Sequence, residues 1–284
     1  MCGVDRYHQI GLCGQSAEIK VARAALHFWE EPPLSGERGS GTVFFSGCNL
    51  GCVYCQNRAI SREGLGKIVS QEALSGLFFR LQQQGAHNIN LVTPTHFAPW
   101  IIEAVERYRK EGGSLPIVYN TGGYERKEAI AALSETVDIY LTDLKYAEAQ
   151  TAKKYSGAAD YPKVAREALA EMLRAVGEPQ FDEEGMLKRG VVVRLLVLPS
   201  AEYEAMMNLK WIKETFGDSL IISIMNQYTP VGEQLPKELA SPLPERAYAT
   251  VVDYAKKLNF KYAYIQEGET CKESFIPPFE EETF

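Results

Sequence analysis

The chain has 284 residues, 45% of them hydrophobic and 24% charged, with a formal net charge of −7. That balance fills a sizeable core in one α/β domain or two small ones, and the acidic surplus argues against nucleic acid or a membrane surface as partner, since both favour basic patches. No apolar run approaches the roughly 20 residues of a membrane-spanning helix, and the opening MCGVDRYHQI lacks the basic-then-apolar pattern of a secretory leader, so a cytoplasmic protein is expected.

The first 38 residues read as an amino-terminal extension carrying Cys2 and Cys13. Two cysteines are too few to argue for a metal, and they read as free thiols. The body of the chain, 39–270, alternates short β-rich runs with helical patterns. Thr42–Ser46 is the first expected strand, followed by Asn88–Thr93, Pro116–Asn120, Asp138–Thr142, Val191–Leu198 and Leu220–Met225, with a weaker candidate at Phe260–Ile265. These runs are apolar on both faces, as in a covered parallel sheet. Ser70 is placed to cap a helix to about Gln84 that carries Leu74, Leu77, Phe78 and Leu81 on one stripe. Ile101, Val105 and Tyr108 follow helical spacing, as do Ala165, Leu169, Met172 and Val176. Glu178–Lys188 and Gln227–Pro244, rich in Pro, Gly and charge, read as surface loops, and 271–284, with the lone Cys271, as a tail. Six successive βα units predict a parallel α/β fold, an open sheet or a partial barrel, with reactive residues at the carboxyl ends of the strands.

Three of the six cysteines fall within eight positions directly after the first strand, in Ser46-Gly47-Cys48-Asn49-Leu50-Gly51-Cys52-Val53-Tyr54-Cys55. Such a loop brings three thiolates to one centre, and Gly47 and Gly51 permit a tight backbone. A structural zinc site usually recruits four ligands and an electron-transfer ferredoxin cluster four cysteines. Three cysteines suit a cluster with one open iron. A zinc site completed by a distant ligand and a non-catalytic Fe–S electron carrier or redox sensor are the alternatives.

The spacing C-x3-C-x-Tyr-C resembles the signature of the radical S-adenosylmethionine (SAM) superfamily. Glu30–Gly36, Gly39–Cys48, Leu91–His96 and Thr142–Lys145 look like the subgroup described as pyruvate formate-lyase activating enzyme-like. The resemblance implies a partial (β/α)6 barrel. It also implies a 4Fe–4S cluster on Cys48, Cys52 and Cys55, with SAM chelating the open iron. Reductive cleavage of SAM would give a 5′-deoxyadenosyl radical that abstracts hydrogen from a substrate. A reductant such as flavodoxin or ferredoxin is then implied, with a glycyl-radical protein or a peptide among the possible substrates. Tyr54 would lie near the adenine. Where many members carry Gly-Gly-Glu to bind the SAM amino group, this chain has Thr93-Pro94-Thr95-His96, so Thr93, Thr95 and His96 become the candidates there. Asn120-Thr121-Gly122-Gly123 resembles an activase segment loosely. Asp143 and Lys145 would line the SAM site, with Lys145 on the carboxylate; a cation site at Asp143 lacks its expected partner acid. Arg194 interrupts an apolar strand and so needs an anion: the SAM carboxylate by resemblance, a core acid as the alternative. Asn226 and Gln227 are lesser candidates for the ribose or carboxylate. The amino-terminal Cys2 and Cys13 stretches resemble part of a longer cysteine-bearing segment in related proteins.

Overall fold

The computed structural model describes residues 3–231, 235–268 and 279; Cys2, Cys271 and the rest of the expected tail lie outside the described residues. The strands are β1 (Lys20–His27), β2 (Ser40–Phe45), β3 (Lys67–Ile68), β4 (Ile89–Val92), β5 (Ile117–Thr121), β6 (Ile139–Asp143), β7 (Gln180–Phe181), β8 (Leu187–Leu196), β9 (Ile221–Met225) and β10 (Ala263–Ile265). The helices are α1 (Pro32–Ser35), α2 (Arg58–Ser61), α3 (Gln71–Gln83), α4 (Ala98–Lys110), α5 (Lys127–Ala132), α6 (Ala149–Ser156), α7 (Tyr161–Val176), α8 (Glu202–Phe216) and α9 (Glu245–Leu258).

The fold is α/β with a mostly parallel sheet. Strands β2, β4, β5, β6, β8, β9 and β10 lie side by side in chain order and are parallel throughout. Sequential neighbours of this kind are the wrapping of a barrel rather than of a doubly wound sheet. The hydrogen-bonded path ends at β3 on one side and β10 on the other, so the barrel is open. All six expected strands are present, as is the weaker seventh. The stripe after Ser70 forms α3, where the Ser70 hydroxyl accepts from the Ala73 N–H at 3.1 Å, and the other two stripes are buried in α4 and α7.

Three features depart from the expectation. Strand β1, Lys-Val-Ala-Arg-Ala-Ala-Leu-His, pairs antiparallel with β2, with β3 beyond it. Its alanines and charges have weak strand propensity, and pairing with a buried neighbour overrides that. Part of Glu178–Lys188 forms an antiparallel pairing of β7 with β8. Gln227–Pro244 packs inward in part: Tyr228 and Leu239 are buried, joined by a hydrogen bond from the Tyr228 Oη to the Leu239 carbonyl at 2.5 Å.

Strand alternation sorts the core into two layers. On the outer face, Val43, Phe45, Ile89, Leu91 and Ile117 pack with α3 and α4, while Tyr140, Val191, Val193, Ile222 and Ile224 pack with residues of α7, α8 and α9. On the inner face, Val118, Ile139, Leu141, Val192 and Ile221 surround Leu34, which is fully buried. Leu34 sits on α1, so the Glu30–Ser35 stretch enters the barrel and plugs one part of its interior. What remains beside the cysteine loop is a cleft of about 260 Å³.

Candidate active site

The cysteine loop leaves the end of β2 and is held by its neighbours' backbone. Gly47 adopts φ +87°, and a Cβ there would lie 2.6 Å from the Cys13 carbonyl and 2.5 Å from Gln15, so glycine is required. Gly51 has no such φ; its N–H bonds to the Ser156 carbonyl at 3.2 Å, and the Val53 N–H to the Tyr155 carbonyl at 2.9 Å. The Cys48 N–H donates to the carbonyl of Cys13, itself a buried free thiol, at 3.2 Å. The amino-terminal segment therefore braces the loop.

All three thiols border the cleft. Cys52 Sγ lies 2.9 Å from the Ser156 hydroxyl, Cys55 Sγ 3.3 Å from that of Ser61, and Cys48 Sγ accepts from the Leu50 N–H at 3.4 Å. Burial pushes the Cys48 thiol up to about 12, with the nearby Cys52 adding to the effect, and burial raises Cys52 as well. A thiolate here needs a cationic partner such as iron. Among the described residues no three His, Cys, Asp or Glu side chains converge as the ligands of a single ion would. Among the residues lining the cleft the thiols are these three, a set that suits a four-iron cluster with one open iron.

Of the other expected residues, Tyr54, Thr93, Asp143, Lys145 and Arg194 line the same cleft, together with Asn120, Thr121, Gly122 and Gln227. Lys145 Nζ pairs with Asp143 Oδ2 at 2.5 Å. Burial opposes the lysine's charge, yet Asp143 and the surrounding acidic groups hold its ammonium well above the usual lysine range. Thr93 has φ +57°, a left-handed conformation rare for a β-branched residue, with its N–H donating to the Asn120 carbonyl at 2.8 Å. Gly123, at φ +81°, lets the turn after β5 approach the end of β6; a Cβ there would lie 2.2 Å from the Asp143 carbonyl.

Arg194 meets a core acid, the alternative reading of its strand position. Its Nε reaches Glu31 Oε1 at 2.8 Å, and its Nη2 reaches Glu31 Oε2 at 2.6 Å and also Glu30. Glu31 is buried, which by itself would raise its carboxyl, but Arg194 and the Ser223 hydroxyl hold it below the usual carboxylate range. Asn90 Nδ2 donates to Glu30 at 2.7 Å. The guanidinium is thus tied to the plug and forms the floor of the cleft.

Three expected residues do not line it. His96 turns away: its Nε2 bonds to the Ser46 carbonyl at 2.7 Å, beneath the cysteine loop, and Arg6 donates to its carbonyl from the amino-terminal segment. Burial lowers the His96 ring to about 4, so it is neutral and acts as a donor. Thr95 gives its hydroxyl to Glu125 at 2.5 Å, and Thr121 does the same. Burial raises the Glu125 carboxyl to about 7. Asn226 faces the β10 side, where its N–H reaches Gln266 at 3.0 Å and its side chain the Gly268 carbonyl at 3.2 Å. A short helical turn after Pro94 and the pleat after Met225 account for these directions.

Sequence reading passed over His27, Trp29, Glu30, Gln56 and Tyr228, which also line the cleft. The acidic pair before Pro32 was the available signal for Glu30: two adjacent carboxylates ahead of a buried helix need a cation, and Arg194 interrupts an otherwise apolar strand. Nothing local marks Tyr228, whose ring meets Tyr54 edge-on at 6.2 Å.

The chain matches the family model of the Radical SAM superfamily over residues 42–201. It is 25% identical over 275 residues to the Methanocaldococcus jannaschii protein named Uncharacterized protein MJ0674, covering 93% of this chain and 74% of that one. In fold it is similar to a radical SAM methyltransferase from Sphaerobacter thermophilus (TM-score 0.53, 16% identity, 80% of this chain and 66% of that one). It is similar also to anSMEcpe with bound AdoMet (0.53, 17%, 78% and 61%). A third likeness is to Streptococcus suis SuiB bound to precursor peptide SuiA (0.53, 11%, 78% and 47%). The chain thus spans about half to two thirds of the solved structures it resembles. With the family model covering more than half of its length, the chain belongs to the radical SAM superfamily, whose members are enzymes that use a 4Fe–4S cluster and SAM.

Proposed function

We propose that Cys48, Cys52 and Cys55 hold a 4Fe–4S cluster with one open iron, and that the adjoining cleft binds SAM for reductive cleavage. The observation that carries this reading is that three partly buried thiols and the Asp143–Lys145 pair border one cleft at the carboxyl ends of parallel strands. When bound, the cluster supplies the electron that splits the sulfonium of SAM, generating the radical that abstracts hydrogen from the substrate. The protein binds and orients. Lys145 offers an ammonium to the SAM carboxylate, and Asp143 keeps it charged and aimed. The strained Thr93 presents backbone and hydroxyl acceptors to the SAM amino group in place of Gly-Gly-Glu. Tyr54 and Tyr228 offer ring surface to the adenine. Arg194 holds the floor with Glu30 and Glu31 rather than contacting the carboxylate, and His96, Thr95 and Asn226 support the loops.

The finer assignment is to the activase-like subgroup, resting on the Glu30–Gly36, Gly39–Cys48 and Thr142–Lys145 segments. In this reading the barrel of residues 39–270 carries the site, the first 38 residues brace and plug it, and the substrate is a protein or peptide. The enzyme works in the reducing cytoplasm with a flavodoxin or ferredoxin as donor. The test is anaerobic reconstitution with iron and sulfide. About four irons per chain are expected, with an EPR signal of the reduced cluster that changes when SAM is added. A cluster whose signal ignores SAM would reduce the protein to an electron carrier. A preparation that takes up zinc and no iron would remove the reading altogether.

A further inference from the structure

Behind the cysteine loop runs a chain of buried hydroxyls that the proposed chemistry does not use. Ser156 Oγ lies 2.9 Å from Cys52 Sγ, Tyr146 Oη 2.6 Å from Ser156 Oγ, and Tyr54 Oη 2.7 Å from Tyr146 Oη. All three hydroxyl-bearing residues are buried. Each hydroxyl has one proton to give. While Cys52 is a thiol, either partner of each pair can donate. An iron-bound thiolate only accepts, so ligation fixes the direction: Tyr54 donates to Tyr146, Tyr146 to Ser156, and Ser156 to the sulfur. Hydrogen bonds in series polarise one another. A donor on a ligand sulfur draws electron density from the cluster and favours its reduced, more negative state. The contacts at the other two sulfurs are longer, at 3.3 Å to Ser61 and 3.4 Å to the Leu50 N–H.

We infer that Ser156 is a positioning residue that raises the cluster's reduction potential through Cys52, reinforced by Tyr146 and Tyr54. Tyr54 is also part of the cleft wall, so a ligand that shifts its hydroxyl is sensed at the cluster. The inference rests on Cys52 being a cluster ligand. The loop does not depend on the Ser156 hydroxyl for its shape, because the Ser156 and Tyr155 carbonyls hold Gly51 and Val53 through backbone bonds.

The experiment is an EPR-monitored redox titration of the reconstituted full chain without SAM, alongside iron and sulfide counts. Ser156→Ala is expected to keep its cluster content and to hold roughly three- to tenfold less reduced cluster at a fixed poise. Tenfold corresponds to about 59 mV for a one-electron couple. Ser156→Thr, which keeps the hydroxyl, is expected to titrate like the wild type, and Tyr146→Phe to shift the same way by less. A fully loaded Ser156→Ala protein with the wild-type potential overturns the inference. Should that variant not load, an unshifted Tyr146→Phe protein overturns it equally. A wild type that takes up no cluster sinks the ligand assignment instead, which separates the two failures.

Discussion

At the scale of single residues, the buried titratable groups make opposite demands on pH. His96 has a folded-state value of about 4, below the ordinary 6.5, so the unfolded chain binds its proton more readily. The stability this group contributes is complete above pH 6.5 and is lost as pH falls towards 4. Glu125 runs the other way. Its folded value of about 7 lies above the ordinary 4.5, so its stabilising share is present below pH 4.5 and is lost as pH rises through 7. Glu125→Gln is therefore expected to gain on the wild type by roughly 1–3 kcal/mol between pH 5 and pH 8. Urea unfolding of the apoprotein at the two pH values reads this directly, and a difference that does not change with pH would contradict the assignment. Gly123 gives a second residue-scale prediction. With φ +81° and a Cβ that would lie 2.2 Å from the Asp143 carbonyl, Gly123→Ala is expected to cost at least about 1–3 kcal/mol. It should also weaken SAM binding, because the displaced carbonyl belongs to the residue that aims Lys145. Equilibrium dialysis with SAM on the reconstituted protein checks the second part; undiminished binding would show that the turn does not set the site.

Among the elements, the plug formed by Glu30–Ser35 is the least expected and has the clearest energetic signature. One guanidinium serves two carboxylates whose side chains are 7% and 5% exposed. Removing the cation strands both charges, so Arg194→Leu is expected to lose about 3–5 kcal/mol. Leu34→Ala, which empties the centre of the inner layer, is expected to lose about 2–5 kcal/mol. Denaturant midpoints measure both. A nearly neutral Arg194→Leu would mean that the acidic pair finds another partner. The plug also marks how far local pattern carries. The parallel strands were legible because Val, Ile, Leu and Tyr fill both of their faces, and α3 because Ser70 caps a clear stripe. β1 was not legible, since Ala-Arg-Ala-Ala takes strand form only beside the apolar Val43–Phe45. Nor was α1, because a four-residue helix has no periodicity to detect.

For the whole molecule, the order of strands brings residues from distant positions to one cleft: the cysteines after β2, Thr93 after β4, Gly122 after β5, and Asp143 and Lys145 at the end of β6. The sequence carried the cysteines and Asp143–Lys145 because they belong to compact motifs. It could not show that His96 turns beneath the loop or that Asn226 faces β10, because side-chain direction at a strand end is set by the turn that follows. It left Arg194 open between two anions, and only tertiary structure brings Glu30 and Glu31 within reach. The whole chain thus shapes a site in which the amino-terminal segment is structural on two counts, bracing the cysteine loop through Cys13 and Arg6 and closing the barrel interior through α1. The central claim, that this site cleaves SAM reductively, is tested most directly by one measurement. The reconstituted protein is reduced with dithionite in the presence of SAM, and 5′-deoxyadenosine is quantified against a Cys52→Ala control. The account predicts 5′-deoxyadenosine from the wild type and none above background from the variant. Equal yields from both proteins, or a loaded wild-type cluster that leaves SAM intact, would contradict it.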